Sequence, residues 1–136
     1  MNLLIVDDSP INRGLMDTLI KKLVRESVTF AENGQQGLDI YRELCKTKEN
    51  IVVLIDINMP IMNGIESIKH IRKHERTHKI NPCHILVITD YNSANAEYLA
   101  KMVGANAFLS RPIHKEDLFK ELRRLLGEEN VIFHEQ

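Results

Sequence analysis

The stretch VVLIDINMPIMNG, residues 52–64, decides the fold. Four apolar residues, Val52 to Ile55, run straight into an acid, Asp56, and a Pro and a Gly follow within eight residues. Successive side chains of a strand point to opposite faces, so an unbroken apolar run is the mark of a strand buried on both sides. With Ile51 the run reads as a strand over 51–56, IVVLID. A strand of that kind, ending on a carboxylate, has the acid placed where the sheet stops and a loop begins.

Upstream lie two more strands and two helices. NLLIV, 2–6, is a short apolar run that ends on Asp7 and Asp8. Ile11, Leu15, Leu19, Ile20, Leu23 and Val24 follow at helical spacing, with Ser9 as a plausible N-cap and Pro10 as the first helical residue. SVTFA, 27–31, is β-branched and aromatic, hence a strand, and Asn33-Gly34 marks a turn. Leu38, Tyr41, Leu44 and Cys45 stripe a second helix. Downstream, Ile65, Ile68 and Ile71 stripe a third helix, expected to end in a charged, His-containing loop over 72–82. CHILVIT, 83–89, is a fourth strand. Tyr98, Leu99, Met102 and Val103 stripe a fourth helix that Gly104 can close. AFLS, 107–110, is a short fifth strand, and Leu118, Phe119, Leu122, Leu125 and Leu126 stripe the last helix, for which His114 is a poor N-cap.

Strand and helix thus alternate five times. This predicts an α/β fold of (βα)5 type, a doubly wound five-stranded parallel sheet with helices on both faces. The domain is expected over 1–127, and 128–136 as a C-terminal tail or the start of a linker.

At 136 residues the chain is long enough for one domain that buries roughly two-thirds of its unfolded surface. The net charge of −1 is mixed along the chain, with no basic patch of the kind nucleic-acid binding requires. No apolar run approaches a membrane span, and the acids at 7 and 8 interrupt any signal-peptide pattern. Cys45 and Cys83 lack metal-ligand spacing and sit in apolar patterns, so they read as core thiols of a reducing compartment; the expected location is cytoplasmic. The six histidines are expected at the surface rather than as metal ligands.

In an open parallel sheet, ligands bind beyond the carboxyl ends of the strands. Here the first strand ends at Asp7-Asp8, the third at Asp56 and the fourth at Thr89, while Ser110 and Arg111 close the fifth. A single such residue is unremarkable as a solvated strand end or a helix cap. Three acids converging with a hydroxyl and a cation are harder to read that way, because clustered carboxylates raise one another's pKa unless something positive lies among them. An all-oxygen cluster suits a hard divalent ion, Mg²⁺ or Mn²⁺. Such an ion would screen an incoming phosphoryl group and leave Asp56 as the nucleophile.

The pieces LLIVDDSPINR at 3–13, LIDINMPIMNGIE at 54–66, LVIT at 86–89 and AFLSRPI at 107–113, in this order, resemble the response-regulator receiver domains of two-component and phosphorelay signalling. DDSPINR with IRKHE resembles the receivers of hybrid histidine kinases in particular. The resemblance implies a flavodoxin-like strand order, 2-1-3-4-5. It implies that Asp56 accepts a phosphoryl group from a phosphohistidine of a histidine kinase or histidine phosphotransfer domain, with the chain catalysing its own phosphorylation and dephosphorylation. It implies Mg²⁺ held by Asp7, Asp8, Asp56 and the backbone carbonyl of Asn58, with Asp8 the more direct of the first two. Thr89 offers its hydroxyl to the phosphoryl group, Phe108 is the aromatic switch residue, and Pro112 follows a cis peptide. The surface of the fourth helix, fifth strand and last helix would relay the signal. No direct contact with nucleic acid or membrane is implied, and the chain would be a monomer or a weak phosphorylation-dependent dimer.

Two positions depart from the family pattern. Arg111 stands where the family carries lysine; arginine is larger, planar and always charged, and can meet a phosphoryl group bidentately. Asp90 stands where a small residue is usual; it can pair with Arg111, or face solvent and cap the next helix. Both motivate an alternative, a pseudo-receiver that acts as an interaction module without phosphorylation. A phosphohydrolase of the haloacid-dehalogenase type also uses a strand-end Asp, but it needs a second acid two residues on, where this chain has Asn58.

Overall fold

The computed structural model describes residues 1–90 and 94–127. Among these, five strands and five helices alternate: β1 (Asn2–Val6), α1 (Pro10–Leu23), β2 (Ser27–Ala31), α2 (Gly34–Leu44), β3 (Ile51–Ile55), α3 (Gly64–His78), β4 (His84–Thr89), α4 (Ala94–Met102), β5 (Ala107–Ser110) and α5 (Lys115–Leu126). All strand pairs are parallel, and the order across the sheet is β2-β1-β3-β4-β5. This is the doubly wound, flavodoxin-like arrangement expected from the strand–helix alternation and the resemblance. The order reverses between β1 and β3, so the carboxyl ends of these two strands flank the crevice in which such sheets bind ligands.

The sheet is buried on both faces. Leu4, Val6, Val53, Ile55, Ile85 and Val87 pack beneath α2, α3 and α4. Leu3, Ile5, Val52, Leu54, Leu86 and Ile88 pack beneath α1 and α5. Every residue of β3 is buried, which is why its sequence shows no alternation. Local caps follow the chemistry of their residues: the Asn12 amide donates to Ser9 Oγ at 3.2 Å with Pro10 opening α1, and the Gln36 amide donates to Asn33 Oδ1 at 2.8 Å. His114 precedes α5 without a side-chain capping bond.

Three expectations need correction. First, α3 does not stop at Ile71; it continues to His78, so the loop expected over 72–82 is mostly helix. Arg72 and Glu75 lie on its inner side, and Glu75 is buried. Second, the buried positions of α4 are Ala96 and Ala100, while Tyr98, Leu99 and Met102 are exposed. On α1, Ile11 and Leu15 are likewise exposed, and Met16 takes the inner face with Ile20 and Leu23. Third, the histidines are not all at the surface: His70, His74 and His84 are half-buried, and the rings of His74 and His78 lie 4.2 Å apart. His134 and the tail over 128–136 fall outside the described residues. Both cysteines are free thiols, Cys83 buried and Cys45 half-buried.

Candidate functional site

Asp7 and Asp56 are each the first residue past a strand, Asp8 follows Asp7, and the strands are in register. Val6 of β1 faces Ile55 of β3, and the Asp56 amide donates to the Val6 carbonyl at 3.0 Å. Asp7 and Asp56 therefore emerge side by side. Both are buried, Asp7 at 3% and Asp56 at 8% exposure, while Asp8 is exposed. One carboxylate oxygen from each of Asp7, Asp8 and Asp56 falls within 4.8 Å of the others.

The two buried carboxylates are held alike. Oδ1 of Asp7 accepts the Ser9 amide at 2.9 Å, and Oδ1 of Asp56 accepts the Ile57 amide at 2.7 Å. Their Oδ2 atoms both face Arg111: Nη2 donates to Asp7 Oδ2, and Nη1 donates to Asp56 Oδ2 at 3.2 Å. Burial pushes the Asp7 carboxyl above its ordinary range; the Ser9 amide and Arg111 pull it back, and the neighbouring Asp56 and Asp8 push it further up. Arg111 follows β5, its amide donates to the Thr89 carbonyl at 2.9 Å, and its peptide bond to Pro112 is cis.

Asp90 is not the main partner of Arg111. Its Oδ2 lies 3.8 Å from Nη1, with the side chain 80% exposed, against 15% for Arg111. The capping contact considered for Asp90 falls on residues 91–93, outside the described set. Thr89, the last residue of β4, is buried at the same edge. Phe108 is half-buried in β5 and packs against the cluster beneath α2, α3 and α4. Asn58 is exposed in the loop between β3 and α3.

The Asn63-Gly64 pair and Gly34 shape the loop between β3 and α3. The Gly64 amide donates to the Ile57 carbonyl at 2.8 Å, and a Cβ at Gly64 would collide with the Asp56 carbonyl. The Gly34 amide donates to the Met62 carbonyl at 2.8 Å and ties α2 to the same loop. Sequence reasoning missed Arg13, whose Nη1 donates to the Asp7 carbonyl at 2.7 Å. The available signal was a cation one turn into the helix after DDSP.

Residues 3–123 match the family model described as response regulator receiver domain. The chain belongs to this family. It is 31% identical over 112 residues to hybrid signal transduction histidine kinase E of Dictyostelium discoideum, covering 82% of this chain but 6% of that protein. It is 30% identical over 127 residues to a chemotaxis protein CheY homolog of Campylobacter jejuni, covering 93% of each. Among solved structures, a chain from the co-crystal of the Saccharomyces cerevisiae histidine phosphotransfer signaling protein Ypd1 with the receiver domain of Ssk1 superposes with a TM-score of 0.83 at 26% identity, covering 97% of this chain and 92% of that one.

The donor set of this receiver fits a hard divalent ion: three carboxylates and no sulfur or imidazole. Among the described residues, no helix is long and apolar enough to cross a membrane.

Proposed function

We propose that this receiver accepts a phosphoryl group on Asp56 from a phosphohistidine and relays the change through its surface. The observation that carries the proposal is the convergence of Asp7, Asp8 and Asp56 within 4.8 Å at the switch point of the sheet, beside Thr89 and Arg111. Asp56 is the acceptor because it stands on the rigid end of β3, with Oδ1 fixed by the Ile57 amide and Oδ2 turned into the pocket. The Asp56 carboxylate attacks phosphorus; the P–N bond to the donor imidazole breaks as the P–O bond to Asp56 forms. Asp7, Asp8, Asp56 and the Asn58 carbonyl would hold Mg²⁺, which supplies charge neutralisation for the transferring group. Arg111 and the Thr89 hydroxyl meet the phosphoryl oxygens.

The product carries about −1.5 to −2 charges and strong acceptor oxygens. Drawing Thr89 and Arg111 toward them moves the ends of β4 and β5, and with them Phe108 and α4. The exposed Tyr98, Leu99 and Met102 give α4 an apolar surface through which that movement reaches a partner. The donor is a histidine kinase or histidine phosphotransfer domain, as the likeness to a chain from the phosphotransfer co-crystal supports.

Incubation with Mg²⁺ and acetyl phosphate followed by intact mass tests the proposal. The expected result is one phosphoryl increment on the wild type, lost with EDTA and lost in Asp56→Asn. Equal incorporation in Asp56→Asn removes Asp56 as the acceptor. The placement of Arg111 on Asp56 favours a second reading, an interaction module that is never phosphorylated, and no increment under any condition selects it.

A further inference from the structure

The carboxylate oxygens of this site divide into two classes. Asp7 Oδ1 and Asp56 Oδ1 are engaged by main-chain amides. The two Oδ2 atoms are the ones turned toward a ligand, and one guanidinium holds both. A divalent ion of the Mg²⁺ type takes its oxygens at ~2.0–2.1 Å in near-octahedral geometry. An ion seated between those oxygens and the guanidinium on the same oxygens would place two cations in one gap. Loading the site is then an exchange of cations.

The structure also contains a place for the displaced group. Asp90 Oδ2 already lies 3.8 Å from Arg111 Nη1, outside the pocket and largely in solvent. A long, planar, five-donor side chain can release one pair of carboxylates while keeping a bond to another. We propose that Arg111 is a tethered internal cation that occupies the Asp7–Asp56 pair in the resting chain, leaves it for a divalent ion, and moves outward onto Asp90. Asp90 then assists loading of the site, the reverse of a resting partner that would oppose it. The inference rests on the metal-assisted phosphoacceptor reading above and adds to it a second role for Arg111 and a first role for Asp90.

Direct Mn²⁺ binding, followed by loss of the free-ion EPR signal, tests this without any phosphoryl transfer. Wild type, Arg111→Gln, Asp90→Asn and the double variant are titrated at one ionic strength, with circular dichroism to show that each is folded. Arg111→Gln is expected to bind Mn²⁺ at least about tenfold more tightly than wild type, since a cation beside the ion no longer has to be displaced. Asp90→Asn is expected to weaken binding in the wild type and to have under about a twofold effect in the Arg111→Gln background, because there is no guanidinium left to receive. An Arg111→Gln affinity within twofold of wild type overturns the exchange. An equal Asp90→Asn effect in both backgrounds overturns the outward seat, since it is then simple charge attraction. Absence of Mn²⁺ binding in all four overturns both this inference and the metal-assisted reading. Tighter binding in Arg111→Gln with no mass increment on wild-type Asp56 sustains the exchange and removes only the phosphoacceptor reading.

Discussion

Ile61 has a φ of 69° and 83% exposure, in the loop that joins Asp56 to α3. A β-branched residue in the left-handed region is a steric outlier, and such positions cost on the order of 1–3 kcal/mol. The cost is sustained because the loop is fixed on both sides of Ile61: Gly34 donates to the Met62 carbonyl, and Gly64 abuts the Asp56 carbonyl. Asn tolerates the same backbone, and little packing is lost by removing a side chain so exposed. Ile61→Asn should therefore raise the unfolding free energy by about 1 kcal/mol. Urea unfolding checks this; an unchanged or lower midpoint at constant m-value would show that the loop relaxes without gain. Arg111 shows a different lesson at the same scale. Its residue type and its place at the sheet edge are plain in the sequence, but its choice of Asp7 and Asp56 over Asp90 depends on the reach of a side chain across three strands.

At the scale of elements, the strands were legible because β-branched and apolar runs have a short period and sharp ends. Their boundaries move by one residue at most, as with the fourth strand, which begins at His84 rather than Cys83. The helix ends and faces were less legible, for physical reasons. Hydrophobic periodicity is blind to a buried ion network, and α3 carries one past Ile71. Glu75 accepts the Tyr41 hydroxyl at 2.8 Å, the Cys83 amide at 2.7 Å and Arg72 Nη1 at 2.8 Å. Arg72 in turn donates to the Gly104 and Cys83 carbonyls and to Asn106 Oδ1. A charged KHER segment thus reads as loop although it joins α2, α3, β4 and the α4–β5 turn. On α4 the large apolar residues misled, because Ala96 and Ala100 let the helix approach the sheet closely and leave Tyr98 and Met102 outside. The network makes a prediction. Glu75→Ala leaves Arg72 and Tyr41 without their shared buried acceptor and should cost ~3–5 kcal/mol. Tyr41→Phe removes one charge-assisted bond and should cost about 1.5–3 kcal/mol. Denaturant titration measures both, and a Glu75→Ala loss below that of Tyr41→Phe would mean Glu75 does not hold the network together.

Across the whole molecule, the two edges of the sheet carry opposite charge problems. The carboxyl edge gathers acids around Arg111, and the amino edge half-buries histidines beside cations. His84 opens β4, and its pKa is lowered by burial and then by Arg72; that of His74 is lowered by burial, then by His78 and Arg42. In the unfolded chain both titrate near 6.5. Between that value and the lower folded one, the unfolded chain binds more protons than the folded chain. Stability therefore rises with pH through this window: it is fully present above 6.5 and is lost as pH falls toward the folded values. Asp7 acts in the opposite sense. Its raised pKa lets the folded chain hold a proton that the unfolded chain has released, so above 3.8 its contribution falls as pH rises. The net curve mixes the two, and a single substitution separates them. His84→Gln keeps a polar side chain at the start of β4 and removes its titration. Urea unfolding at pH 7.5 and pH 5.5 should show the wild type losing more stability on acidification than His84→Gln. Equal losses would mean that His84 takes up its proton in the folded chain without strain and that the acid sensitivity comes from His74, since Asp7 gains stability on acidification.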